Sequence, residues 1–114
     1  MKSYTNIEQS KKLAEFLPLE SADMYYEPSA GFCTEPSEAK IGDIEYAHPS
    51  SIRCWSLAAL LSVLDFPSLT QNKEDEWEVC VPNHQSDEYI EVSADNPVDA
   101  CYEMILKLHE QNLL

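Results

Sequence analysis

The sequence predicts an α+β fold, a small antiparallel or mixed sheet with about three helices packed on it. Three observations carry this. The 114-residue chain is of single-domain length, and its apolar and charged fractions, 44% and 25%, are those of a chain that folds around a core. Two stretches near residues 77–93 alternate apolar and polar residues with a period of two. Three others carry helical apolar patterns with start or stop signals.

The first helix is expected from about Asn6 to Leu17. Thr5 followed by Glu8 reads as a capping box, Ile7, Leu13, Ala14 and Leu17 form an inner stripe, and Pro18 stops it. Ala22 to Glu27, with Met24, Tyr25 and Tyr26, reads as a short strand ended by Pro28. From about 28 to 51 the chain holds three of its seven prolines and both glycines, the composition of an irregular segment, with Ile41 to Tyr46 offering an edge strand. Ser50 or Ser51 is expected to cap a second helix from Cys54 to Leu64, apolar on nearly every side and therefore central.

A polar loop, Ser68 to Glu76, leads to the alternating runs Trp77 to Val81 and Tyr89 to Ser93. Their seven-residue connection suits an antiparallel hairpin. The last helix has the fullest signature, with Asn96 as N-cap, Pro97 at the first helical position and Asp99 completing a variant box. Val98, Cys101, Tyr102, Ile105 and Leu108 face inward. The whole of 1–114 is read as a single domain.

Charge is the unusual quantity. Asp and Glu number 21 against 7 Lys and Arg, a formal net of −14. Such a surface repels phosphate backbones and anionic lipid heads, so direct binding to nucleic acid or a membrane is disfavoured and a protein with a basic surface is the expected partner. Between Asp65 and Glu103 stand eleven acids and one base, Lys73. The acid runs Glu74, Asp75, Glu76 and Asp87, Glu88 flank the hairpin, and with Tyr46 as an aromatic anchor they are the candidate partner-binding residues. The plainer reading of such runs is a solubilising surface. A nucleic-acid mimic that occupies a DNA-binding site is an alternative.

Cys33, Cys54, Cys80 and Cys101 are 21, 26 and 21 residues apart, with no close pair of the kind zinc sites use. No calcium-loop, phosphate-loop or dinucleotide pattern is present, so neither metal nor cofactor is expected. Cys80 and Cys101 read as small core side chains. Cys54, expected at a helix N-terminus where the dipole favours a thiolate, opens an enzymatic alternative: a papain-like cysteine hydrolase with His84 as base and Asp95 to orient it. The amino terminus lacks a signal-peptide core and no apolar run is long enough to span a bilayer, which points to the cytoplasm.

Three blocks, YTNIEQSKKLAEFLPLESADMYY (4–26), CWSLAALLSVL (54–64) and DNPVDACYEMILKLHE (95–110), resemble a family of short uncharacterised proteins from gut bacteria and their phages and mobile elements. The resemblance implies a compact bacterial or phage-derived protein. It assigns no activity, cofactor or catalytic residue.

Overall fold

A computed structural model describes residues 2–26, 40–41 and 51–114. Its elements are α1 (Ile7–Ala14), a 3-10 turn (Leu19–Ser21), β1 (Met24–Tyr26), β2 (Lys40–Ile41), β3 (Ile52–Cys54), α2 (Leu57–Val63), β4 (Ser68–Gln71), β5 (Trp77–Pro82), β6 (Tyr89–Ala94) and α3 (Pro97–Glu110). The fold is α+β, with three α-helices and strands that form two small antiparallel sheets, ordered β2-β1-β3 and β4-β5-β6. The chain divides into two compact units, Tyr4–Ala59 and Met1–Ser3 with Leu60–Leu114, the boundary falling inside α2.

In the first unit α1 begins one residue later than a Thr5 cap requires. Asn6 is the N-cap: its side chain accepts from the Gln9 N–H at 2.8 Å, and Gln9 Oε1 accepts from the Asn6 N–H at 3.1 Å. Asn caps a helix at least as well as Thr, which releases Thr5 for another task. Thr5 is fully buried, and its N–H donates to the Trp55 carbonyl at 3.0 Å while its Oγ1 accepts from the Trp55 N–H at 3.1 Å. Ser10 Oγ lies 2.8 Å from Thr5 Oγ1, and Cys54 Sγ lies 3.5 Å from it. The Thr5 carbonyl accepts from the Tyr26 hydroxyl at 2.7 Å and from the Cys54 thiol at 3.3 Å. When Ser10 donates to Thr5 and Thr5 to Cys54, both lone pairs and the single proton of the Thr5 hydroxyl are used.

Around this network sit Met24, Tyr26 and Cys54, with Tyr4, Ile7 and Ile52 packed against them and the Tyr4 and Tyr26 rings edge to face at 6.2 Å. The sheet registers pair Met24 with Cys54 and Tyr26 with Ile52. The second helix therefore starts later than expected. Cys54 ends a strand, Ser51 precedes that strand, and α2 is capped by Ser56, whose Oγ accepts from the Ala59 N–H at 3.2 Å and donates to Asp23. Trp55 is fully buried, and its indole N–H donates to Ser21 Oγ at 2.9 Å.

In the second unit α3 forms as its sequence signals require. Asn96 accepts from the Asp99 N–H at 2.9 Å, and the Asp99 carboxylate takes the Asn96 side-chain N–H at 2.7 Å and Lys2 Nζ at 2.8 Å. Val98, Ala100, Cys101, Met104, Ile105 and Leu108 are buried along one face; Tyr102 is only half-buried. Val79, Val81 and Ile90 are the buried residues of the β4-β5-β6 sheet, which packs against α3. Burying each large side chain of this kind contributes roughly 1.5–3 kcal/mol. Ser68–Gln71, expected as loop, is a strand because the free edge of β5 supplies its hydrogen-bond partners.

Replacing Thr5 by Val keeps the shape but removes the hydroxyl, leaving the Trp55 N–H and Ser10 with a partner lost in a buried setting. A fall of about 2–3 kcal/mol in unfolding free energy is expected by denaturant titration. Thr5→Ser, which keeps the oxygen, should recover most of it.

Candidate functional site

The expected acidic runs occupy the two turns of the β4-β5-β6 sheet. Between β4 and β5, Asn72 organises the turn: its Oδ1 accepts from the N–H groups of Glu74 (2.9 Å) and Glu76 (3.1 Å), and Asp75 takes the left-handed conformation at φ 59°. An aspartate tolerates that region better than most residues. Between β5 and β6, the Asn83 N–H donates to the Glu88 carbonyl at 3.0 Å and the Glu88 N–H donates to Ser86 Oγ at 3.3 Å. The two runs do not come together. They sit beyond opposite ends of β5, a strand roughly 17 Å long at a rise of about 3.3 Å per residue.

What joins them is the outer face of the sheet. β5 pairs with β6 so that Cys80 lies opposite Glu91 and Glu78 opposite Ser93. Side chains alternate along a strand, so Glu78, Cys80 and Glu91 share the face opposite Val79, Val81 and Ile90. Glu78 and Cys80 are half-buried and Glu91 is exposed. The thiol and two carboxylates have donor atoms within 4.8 Å of one another, and Cys80 Sγ lies 3.8 Å from Glu78 Oε1. Among the described residues this is the one group of three such side chains able to converge on a cation; a mixed sulfur and carboxylate set suits a borderline divalent ion, although exposed acids also stand together in water without one.

Cys80, expected in the core, thus belongs to the acidic face. Burial pushes its thiol pKa up, and the negative charges of Glu91 and Glu78 add to the rise. Among the described residues, Glu74, Asp75, Glu76, Glu78, Asp87, Glu88 and Glu91 are in no ion pair; the pairs present are Lys2 with Asp99, Lys12 with Glu15 and His84 with Asp65. Tyr46, the expected anchor, lies outside the described residues. Tyr89, at the start of β6, is 70% exposed.

The enzymatic alternative expected Cys54 at a helix N-terminus, and the structure corrects that placement. Cys54 sits at the end of a strand and not at a helix N-terminus, and is fully buried. Burial raises its thiol pKa by more than the hydrogen bonds from Thr5, Ser10 and Tyr26 lower it. Burial likewise pushes Cys101 up to about 11. His84 and Asp95 belong to the other unit. His84 Nε2 is 2.5 Å from Asp65 Oδ2, so its partner is Asp65, while Asp95 is exposed in the connection before the Asn96 cap.

Thiol alkylation reads these environments directly, because only the thiolate reacts. With peptide mapping after a short iodoacetamide pulse at pH 8, Cys54 and Cys101 in the native protein should stay unlabelled until denaturant is added. Cys80 should label, but more slowly than a free peptide thiol. In Glu91→Gln one negative neighbour is gone, the Cys80 pKa falls toward its ordinary value, and labelling should accelerate; an unchanged rate would show that Glu91 does not act on the thiol.

No protein-family model, curated protein or solved structure matches the chain, and its chemistry is read from its own residues.

Proposed function

We propose that the chain is a non-enzymatic interaction module whose acidic band docks a basic protein surface. The observation that carries this is the set of seven carboxylates from Glu74 to Glu91, spread along one sheet and its two turns with no ion pair among the described residues. Like charges held on neighbouring strands cost stability. A cationic partner relieves that repulsion, so the term that penalises the free protein favours the complex.

The length of the band favours a protein surface or extended basic segment over a single ion. Exposed Tyr89, beside Asp87 and Glu88, adds an aromatic of the type enriched at interface hot spots. The resemblance to proteins of gut bacteria and their mobile elements supports a host or rival protein of such a cell as the partner. A cysteine hydrolase would need an accessible thiolate at Cys54, which burial withholds.

The test compares the protein with its Glu78→Gln, Asp87→Asn, Glu88→Gln, Glu91→Gln variant as affinity baits. Wild type should retain a basic protein at low salt and release it as ionic strength rises, while the variant should retain about tenfold less or none. Equal retention by both baits, or binding indifferent to salt, would remove the acidic band from the function.

A further inference from the structure

The unit Leu60–Leu114 holds a cavity of about 390 Å³, at the lower end of the sizes that small-molecule sites occupy. Its floor is apolar: Val81, Ile90 and Leu108 are buried side chains from β5, β6 and α3, and Val63 and Leu113 close the sides. Its polar lining includes Asp65, from the loop after α2, and His84, from the loop after β5.

These two side chains hold each other, Asp65 Oδ2 to His84 Nε2 at 2.5 Å, and both remain about two-thirds exposed. Among the described residues Asp65 Oδ1 and His84 Nδ1 carry no further hydrogen bond. Asp65 Oδ1 is therefore a free carboxylate acceptor; Asn83, Gln85 and Asn112 also line the cavity, and no lysine or arginine does.

We propose that this cavity binds a small amphipathic amine, its ammonium donating to Asp65 and its apolar body resting on Val81, Ile90 and Leu108. A carboxylate ligand would meet Asp65 and the field of a chain with a net charge of −14. A neutral alcohol of the same shape can donate one hydrogen bond to the Asp65 carboxylate but brings no opposite charge to it. A cationic donor supplies both the hydrogen bond and the opposite charge. The site is separate from the outer acidic face and does not depend on the docking proposed above.

Phenethylamine, phenethyl alcohol and phenylacetate share one apolar body and differ in the polar group, which makes them suitable probes in a methyl-region NMR titration of the full chain. The amine should shift the Val81, Ile90, Leu108 and Leu113 methyl resonances saturably, with the alcohol and the carboxylate weaker by about fivefold or more, the size expected for one partly exposed charged contact. Asp65→Asn should weaken the amine by a similar factor, while Glu91→Gln should leave it unchanged. Equal affinity for the three probes, shifts confined to the outer face around Glu78 and Glu91, or an Asp65→Asn protein that binds the amine as tightly would each overturn the proposal. The comparison of probes on the unmodified protein stands even if a variant folds poorly.

Discussion

The pairing register of β5 with β6 is the constraint on which the acidic face and the cavity both depend. Val79 opposite Val92 and Val81 opposite Ile90 place an apolar surface beneath α3; Cys80 opposite Glu91 follows from the same register and falls on the other side. A slip of β6 by one residue would turn its side chains over, exposing Ile90 and sending Glu91 inward. Burying an unpaired carboxylate costs far more than a single apolar contact returns. The hydrophobic face thus holds the acidic face in place, and the convergence of Glu78, Cys80 and Glu91 is tolerated because the core demands it.

The other unit is organised differently. Among the described residues its strands are three residues or fewer, too short for ladder hydrogen bonds alone to define them. One buried residue, Thr5, ties the approach to α1 to β1 through Tyr26 and to β3 through Cys54 and Trp55. A fully satisfied polar network of this kind rigidifies the surrounding core, and it loses more than one bond's worth when a member is removed. The buried thiol of Cys54 is a component of that network, which accounts for its place in the fold.

Much of the second unit was legible in the sequence. Asn96 and Pro97 announce α3, and strict alternation announces β5 and β6, because these signals are local. The misreadings occur where a distant partner decides. Ile52, Arg53 and Cys54 run into α2 with no proline or glycine between, and only pairing with Met24–Tyr26 makes them a strand; Ser56, the polar residue immediately before the helix, was the available sign of its true start. Ser68–Gln71 is polar enough to read as loop and becomes a strand by completing the edge of β5. Thr5 and Asn6 are both good caps, and burial of Thr5 against Trp55 settles the choice. The acid runs were visible as composition, but Glu78, Cys80 and Glu91 form a group only once the register is known. The cavity draws on residues from Val63 to Leu114, a juxtaposition that no local pattern encodes.

Charge and burial together explain how a small chain can present an acidic surface while keeping the thiols of Cys54 and Cys101 protonated. Among the described residues the carboxylates of the turns and of the outer face are in no ion pair, the opposite face of the sheet supplies stability, and Cys54 and Cys101 lie where burial raises their thiol pKa. Cross-strand nuclear Overhauser contacts in the folded protein report the register most directly. The pairing described gives close backbone contacts between Val79 and Val92 and between Val81 and Ile90; contacts displaced by one residue, with Val81 facing Glu91 or Cys80 facing Ile90, would contradict it.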